Sequence, residues 1–158
     1  MSNRPSILDA LSDEERALLL GRALRRSLVA HELLVLAGDR RPRVHLLERG
    51  VVKLTARTSE GRDTILGLAL PGDVVGDLAA LDELPQPLDA VTATPCDVLG
   101  IDAGDFVAVL ESNPRAAAAM VRSLAARCRW MCETTLERTA SEVPGRLAGR
   151  LLDLADLL

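Results

Sequence analysis

Aromatic side chains are almost absent from this chain of 158 residues: Phe106 and Trp130 are the only two, and there is no tyrosine. A module that binds single-stranded nucleic acid by stacking needs aromatic platforms, and one that binds duplex phosphates needs clustered Lys and Arg on a basic surface. The chain carries 19 Lys and Arg against 23 Asp and Glu, a formal net charge of −4. The sequence as it stands therefore argues against both kinds of nucleic-acid surface.

Long apolar runs are missing as well. The uncharged runs fall far short of the roughly 20 residues that a membrane-spanning helix needs, and the N-terminus has no apolar signal core. Cysteine is scarce: Cys96, Cys128 and Cys132 are too few, and odd in number, for a disulfide framework. We therefore expect a soluble cytoplasmic protein in a reducing compartment, with no membrane contact.

The period of the apolar residues divides the chain into three zones. From Arg4 to about Arg26 the leucines fall at helical spacing, and Ser12 followed by Glu15 predicts a capping box for the second of two short helices. From Ser27 to about Asp102, strand-length apolar runs alternate with turn signals about every 8 to 12 residues, which is typical of an antiparallel sandwich or barrel. The clearest runs are Leu33–Leu36, Val44–Leu47, Val51–Leu54 and Thr64–Leu66.

The third zone, from Ala103 onward, is helical again. A short helix ends near Asn113, and Pro114 suits the first position of a longer helix that nothing interrupts before Val143. About 30 residues of helix would be roughly 45 Å long, more than a small sandwich covers with its own surface. Residues at spacings of 4, 4, 3 and 4 form a stripe that suits a coiled-coil partner: Met120, Leu124, Cys128, Met131 and Thr135. We therefore predict a homodimer with these residues at its interface.

A last amphipathic helix is predicted from Arg146 to Leu158, after Pro144, with its leucines on one face. Nothing is left in the sequence to cover that face. We expect the helix either to pack back on the body or to be followed by a further domain.

The order of helix pair, roll, long helix and Pro-Gly-Arg helix start resembles the effector domain of the Crp/Fnr bacterial transcription regulators. The motifs that carry the resemblance are Gly50–Leu54, Glu60–Arg62, Pro71–Asp73, Val75–Ala79 and Val143–Leu147, and it covers almost the whole chain. It implies a mainly β fold with α: an eight-stranded double-stranded β-helix, or jelly roll, flanked by N-terminal helices and a long C-terminal dimerisation helix.

The resemblance also implies a domain division. Residues 1–113 would form a cyclic-nucleotide-binding-like sensor domain, and residues 114–142 the dimerisation helix. Residues 143–158 would be the first helix of a winged helix-turn-helix DNA-binding domain, the rest of which is missing here. Contacts with DNA and RNA polymerase would then belong only to a full-length form.

In nucleotide-binding members of that family, a glycine, a glutamate and a leucine open a short helix, and an arginine and a small hydroxyl residue enter the next strand. Backbone amides and the arginine bind the cyclic phosphate, and the glutamate binds the ribose. Gly76, Asp77 and Leu78 keep the first part with a shorter carboxylate, but Pro87 and Leu88 stand where the arginine and the hydroxyl are expected. The phosphate-binding arginine is therefore missing.

The composition of this stretch points the same way. Between Arg62 and Arg115 there is no Lys or Arg, against ten acidic residues. Hydroxyl side chains of the family's long helix contact the base across the dimer, and Met131 and Cys132 are poor substitutes for them. The candidate pocket residues are Gly76, Asp77, Leu78, Ala79, Pro87, Leu88, Met131 and Cys132. We expect no cofactor and no standard cyclic-AMP site.

Some of the remaining chemistry-bearing residues have two interpretations. Cys128 and Cys132, at i and i+4, are either packed apolar residues of a helix interface, which we favour, or a thiol cluster at the dimer axis that forms a disulfide or holds a soft metal. Trp130 either lines the pocket or fills the interface, and we favour the interface. Scattered arginines from Arg22 to Arg43 indicate a solvated face.

We interpret the chain as the effector-sensing and dimerisation module of a Crp/Fnr-type regulator, with no enzymatic activity, catalytic residue or metal. Its effector is a small molecule other than cyclic AMP, or a cyclic nucleotide held by backbone amides, or absent, which would leave a structural dimer module. A metal-dependent enzyme of the similar cupin class would need a His-rich metal set, and two isolated histidines, His31 and His45, do not supply one.

Overall fold

The structure, a computed structural model, describes residues 6–40, 43–57 and 63–140. Within these residues a single 3₁₀ turn, Ile7–Ala10, precedes four helices and eight strands. The helices are α1 (Asp13–Arg22), α2 (Asp77–Asp82), α3 (Ala103–Ser112) and α4 (Pro114–Ala140). The strands are β1 (Leu24–Leu28), β2 (Leu33–Val35), β3 (Val44–Arg49), β4 (Val52–Arg57), β5 (Asp63–Ala69), β6 (Val74–Val75), β7 (Asp89–Thr92) and β8 (Cys96–Ile101). The predicted tip at 60–62 and the predicted helix at 146–158 lie outside the described residues.

The eight strands form two four-stranded antiparallel sheets, which confirms the predicted jelly roll. The strand orders are β1-β8-β3-β6 and β2-β7-β4-β5. One apolar core lies inside the roll, and its fully buried members are Leu47, Val52, Ala90, Cys96 and Val98. A second core lies between the β1-β8-β3-β6 sheet and the helices, and it includes Leu19, Leu46, Leu99, Phe106 and Met120.

The N-terminal helices are shorter than their leucine spacing predicts. The capping box of α1 is present, because the backbone N–H of Ser12 donates to Glu15 Oε2 at 2.8 Å and the Glu15 N–H donates to Ser12 Oγ at 3.3 Å. The helix then ends at Arg22 rather than near Arg26, and Leu24 pairs with Gly100 as the first residue of β1. Five backbone pairings with β8 replace the local helical preference there.

A glycine fixes the hairpin before β4. Gly50 has a φ of +94°, and a Cβ at this position would collide with the Pro95 carbonyl oxygen and the Cys96 sulfur. Only glycine fits such a place without strain. The turn is therefore the one the sequence motif predicts, and it precedes the pairing of β4 with β7.

The junction of α3 and α4 lies at Asn113, where the sequence predicts the end of the shorter helix, and the Asn113 side chain organises it. Its Oδ1 accepts from the backbone N–H groups of Arg115 and Ala116, at 3.0 and 3.1 Å, and so caps α4. Its Nδ2 donates to both carboxylate oxygens of Glu15 at 2.9 Å. The pKa of Glu15 is lowered by its hydrogen bonds. The largest contribution comes from the Ser12 backbone, followed by the Ser12 side chain and Asn113. The Asn113 side chain thus connects α1 to the start of α4 through hydrogen bonds.

Helix α4 spans 27 residues, or about 40 Å, and presents one face to its own chain. The buried residues of that face are Ala116, Ala119, Met120 and Thr134. Among the helices within residues 6–40, 43–57 and 63–140, none combines the length and apolar character needed to cross a membrane.

Candidate effector-binding site

The candidate site is centred on the short helix that follows β6. Gly76 has a φ of +85°, and a Cβ there would lie 2.7 Å from the carbonyl oxygen of Arg43. Glycine is therefore required for the chain to turn into α2. The turn makes Asp77 the first residue of α2 and buries it, with an exposed fraction of 2%. Ala79 is also buried, and Leu78 is half-buried.

The Asp77 carboxylate is paired on both oxygens with Arg127 of α4. Arg127 Nη1 donates to Asp77 Oδ1 at 3.1 Å, and Nη2 makes a shorter bond to Oδ2. The Arg127 side chain is 24% exposed, so the pair is largely screened from solvent. Burial acts to lower the pKa of Arg127, but the hydrogen bonds and charge of Asp77 and the charge of Asp73 outweigh it and raise that pKa.

Counting arginines between positions 62 and 115 misses Arg127, because only residues near the candidate site along the chain are then considered. Asp77 and Arg127 are 50 positions apart, and only the docking of α4 on the roll brings them together. A signal was present: Arg127 lies seven residues after Met120 and seven before Thr134, both buried, so it belongs to the inner face of the helix. The site is therefore less acidic than the sequence predicts.

Pro87 and Leu88 stand at the entrance to β7, as predicted, with Pro87 exposed and Leu88 half-buried. Next to them Gln86 is buried, and its backbone exchanges hydrogen bonds of 2.8 Å with Gly38 and Asp39. Its side-chain Nε2 has no hydrogen-bond partner among the described residues. The segment thus presents a buried amide donor beside the place where a phosphate-binding arginine was expected.

The helix residues assigned to the pocket are exposed in the single chain. Met131 is 50% exposed and Cys132 is exposed, so neither is packed within the roll of its own chain, and their predicted role across a dimer stays a prediction. Trp130 is half-buried and lies against the roll: a Cβ on Gly67 would be 3.6 Å from Trp130 Cζ3 and 3.4 Å from Leu54 Cδ1. Trp130 thus contacts its own sheet from an inward-facing position on α4, and the interface role favoured from the sequence stays a prediction.

The residues predicted for a dimer interface divide between the two sides of α4. Met120 is buried in the helix–sheet core and Leu124 packs against that core, so both serve their own chain. Cys128, Met131 and Thr135 are exposed. The predicted stripe therefore begins on the face that covers the roll and continues at exposed positions, and the role of its exposed residues in a dimer stays a prediction. The exposed row runs through Val121, Ala125, Cys128, Cys132 and Thr135, at spacings of 4, 3, 4 and 3.

The remaining candidates have structural roles. His45 is buried opposite Gly100, and its Nδ1 has no hydrogen-bond partner among the described residues. Burial, followed by the charges of Arg26 and Arg43, lowers its pKa to about 4. Three of the N-terminal arginines form ion pairs: Arg22 with Asp105 and Arg25 with Glu48, each at 2.9 Å, and Arg26 with Glu32 at 3.3 Å.

No three His, Cys, Asp or Glu side chains gather in metal-binding geometry within the part of the chain that the structure describes. A groove of about 400 Å³ lies at the N-terminal end of α4. Its lining includes Asp9, Arg115 and Arg122 and shares no residue with Gly76–Leu88. The groove is therefore separate from the candidate site.

An eight-stranded jelly roll with a short helix after β6 and a long helix behind it places the chain in the class of jelly-roll domains. Residues 25–113 match the family model of the cyclic nucleotide-binding domain. The chain belongs to this family, and its relatives include Crp-like transcription regulators.

Three relatives illustrate the likeness. The CRP-like cAMP-activated global transcriptional regulator of Mycobacterium tuberculosis is 29% identical over 118 residues, 75% of this chain and 53% of the relative. The Thermus thermophilus catabolite activator protein superimposes with a TM-score of 0.67 at 27% identity, over 84% of this chain and 61% of the other. The N-terminal domain of a transcriptional regulator from Streptomyces coelicolor A3(2) does so with 0.60 at 27%, over 88% and 98%. The chain thus spans about half the length of the curated relatives it matches.

Proposed function

We propose that this chain is the effector-sensing and dimerisation module of a Crp/Fnr-type transcription regulator, and that it does not bind cyclic AMP in the standard manner. In this proposal residues 1–113 sense the effector, residues 114–142 mediate dimerisation, and residues 143–158 begin a DNA-binding domain. Contacts with DNA and RNA polymerase belong to a longer form, and the role is regulatory, not enzymatic.

One observation carries the ligand part of the proposal. Arg127 is a cation at the site, and it faces the carboxylates of Asp77 and Asp73, so the three side chains together carry a charge of −1. Pro87 and Leu88 add no cation where the cyclic phosphate would lie. An entering phosphate therefore meets a site whose positive charge is already balanced, and its desolvation is not compensated by a charge-assisted bond.

A second candidate function is favoured by the position of Arg127. A carboxylate has about four lone-pair sites, so pairing with a guanidinium fixes the orientation of Asp77 without exhausting its ability to accept a hydrogen bond. Gln86 Nε2, next to Pro87 and Leu88, is a further donor at the candidate site. A cyclic nucleotide held by backbone amides, Gln86 and a shared Arg127 would make the chain a nucleotide sensor of unusual composition.

Isothermal titration of the chain with cyclic AMP decides between the two candidates. The first predicts no saturable heat up to millimolar nucleotide, which corresponds to a binding free energy weaker than about −4 kcal/mol. Micromolar binding that is lost in the Gln86→Ala variant would reject the first candidate and support the second. The control for unspecific effects is Glu83→Gln, a change at an exposed position just past the end of α2.

The dimer part of the proposal is supported by α4. Its inner face packs on the roll, while an exposed row of apolar and small residues follows a heptad spacing along the other side. Two large apolar side chains of this side, Val121 and Leu136, have exposed fractions of 64% and 68%. A second copy of the helix is the partner that a self-complementary row of this spacing fits.

A further inference from the structure

The outer stripe of α4, defined as Val121, Ala125, Cys128, Cys132 and Thr135, contains two of the three cysteines of the chain. Its spacings of 4, 3, 4 and 3 are those of alternating a and d positions in a parallel coiled coil. Cys128 and Cys132 then occupy consecutive layers. Both thiols are exposed in the single chain, whereas Cys96 is buried inside the roll.

We propose that Cys128 and Cys132 form an oxidant-sensitive crosslinking site between two copies of this chain, each cysteine bonding to its counterpart across the two-fold axis. This inference rests on the proposed dimerisation through α4. It adds a covalent modification that fixes the dimer under oxidising conditions.

The occupant of the stripe is a second copy of the chain. A helix of 27 residues offers a face about 40 Å long and about 10 Å wide, or about 400 Å² in projection, which is about half of the roughly 800 Å² per partner that a standard specific interface buries. None of the stripe residues is charged, so pairing two copies juxtaposes no like charges within it. Its small residues, Ala125 and the two cysteines, permit close approach of the helices.

The distances of such a pair suit a disulfide. Packed helices have axes about 8 to 10 Å apart, and the Cα atoms lie about 2.3 Å from each axis. Residues that face each other directly therefore place their Cα atoms about 3.4 to 5.4 Å apart, which overlaps the range of about 4.4 to 6.8 Å seen for disulfides. Small side chains at these layers leave room for the two sulfur atoms.

The chemistry balances with a peroxide as the oxidant. A Cys128 thiolate attacks one oxygen of hydrogen peroxide, the O–O bond breaks, and the sulfur becomes a sulfenic acid while one water is released after protonation. The thiol of the second copy then attacks that sulfur, and the sulfenic oxygen leaves as a second water. Two thiols lose two electrons, and one peroxide accepts them. Exposure of both thiols in the single chain gives peroxide access before the helices associate.

The test uses the whole chain, treated with hydrogen peroxide or held in reductant. Nonreducing denaturing gels should show conversion from 16.9 kDa to about twice that mass, reversed by dithiothreitol. Cys128→Ser and Cys132→Ser should each retain a crosslink, and the double variant should lose it. The double variant keeps Cys96, whose thiol donates to the carbonyl oxygens of Val51 and Thr94 at 3.4 and 3.2 Å, and so reports background reactivity.

Three outcomes would overturn the proposal. The first is a crosslink that persists in the double variant, and the second is an oxidised chain that has lost two thiols but remains monomeric on the gel. The third is zinc binding at one ion per dimer without a covalent product. Light scattering in reductant separates this result from the proposed function. A reduced dimer that peroxide does not crosslink rejects the thiol site alone, while a reduced chain that is monomeric at every concentration tested rejects the proposed dimer.

Discussion

Arg127 and Asp77 form an ion pair that connects the long helix α4 to the first residue of α2, 50 positions away in the chain. The pair lies where the roll, the short helix and α4 come together. Any ligand that uses the Asp77 carboxylate must therefore reach it beside Arg127, and any movement of α4 changes the partner of a buried charge. The pair is thus a direct contact between the candidate site and the proposed dimerisation helix.

Replacing Arg127 by methionine should destabilise the fold by about 3 to 5 kcal/mol, because it leaves the buried Asp77 carboxylate without its partner. Urea unfolding followed by circular dichroism measures the change. The double variant Arg127→Met with Asp77→Asn should recover part of the loss, since no unpaired charge remains. Arg122→Met, at an exposed position of the same helix, is the matched control and should stay within about 0.5 kcal/mol of the wild type. A loss below about 1 kcal/mol in Arg127→Met would contradict the role of the pair.

The structural features that the sequence predicts correctly are those determined by residues close together along the chain. Turn glycines, the Ser12–Glu15 capping box and Pro114 at the start of α4 each act on residues within one turn, and the structure confirms them. The alternation of short runs and turns likewise suffices for an antiparallel sandwich or barrel, whereas the eight-stranded jelly roll is what the family resemblance implies, and the structure confirms both.

The features that the sequence interpretation missed are those that depend on docking. Arg127 enters the site only because α4 lies on the roll, and Met120 leaves the predicted interface for the same reason. A long helix with apolar residues on two sides offers two alternative stripes, and spacing alone does not say which one its own chain covers. The end of α1 at Arg22 is a third case, since the pairing of β1 with β8 decides it.

Asn113→Ala should cost about 1 to 2 kcal/mol of stability, because α4 loses the side-chain oxygen that caps its first turn. The variant also removes the two hydrogen bonds to Glu15. Thermal unfolding measures the loss. Ser112→Ala is the neighbouring control: its hydroxyl donates only to helix carbonyl oxygens at an exposed site, so it should be nearly neutral. Equal effects of the two changes would argue against the cap.

His45 should make the fold sensitive to acid. Its pKa is about 4 in the folded chain against 6.5 for an ordinary histidine, so between these values the unfolded chain binds a proton that the folded chain does not. Stability from this residue is therefore present above about pH 6.5 and is lost as the pH falls towards 4, by about 3 kcal/mol in total.

The measurement is the free energy of unfolding at several pH values for the wild type and for His45→Gln. The variant should lose this part of the pH dependence, while carboxylates titrate in both proteins and cancel in the difference. His31→Gln, the same substitution at an exposed position, is the control and should retain the wild-type profile. Parallel profiles for the wild type and His45→Gln would contradict the assignment.

Val121→Glu with Ala125→Glu should convert the proposed dimer to monomers, since pairing would bring four like charges into one interface. Both positions are exposed in the single chain, so the substitutions should leave the fold intact. Light scattering measures the mass, and circular dichroism checks the fold. Arg122→Glu lies beside the stripe and serves as the control, which should remain dimeric. An unchanged dimer in the double variant would place the interface elsewhere.

Introducing a cation and a hydroxyl at the entrance to β7 should raise the affinity for cyclic AMP. The double variant Pro87→Arg with Leu88→Ser supplies the two groups that the family pattern has at these positions, and Asp77 is left unchanged because it already pairs with Arg127. A charge-assisted bond to a partly desolvated phosphate should increase affinity at least about tenfold, which corresponds to about 1.4 kcal/mol. Leu84→Ser with Pro85→Arg makes the same chemical changes at two exposed positions just before, so it adds the same net charge without placing it at the site. Isothermal titration of both variants with cyclic AMP separates a specific phosphate contact from a general charge effect. A gain in affinity confined to the variant at Pro87 and Leu88 would support the missing arginine as the cause of weak binding. Equal affinities of the two variants would show that the position of the added charge does not limit binding.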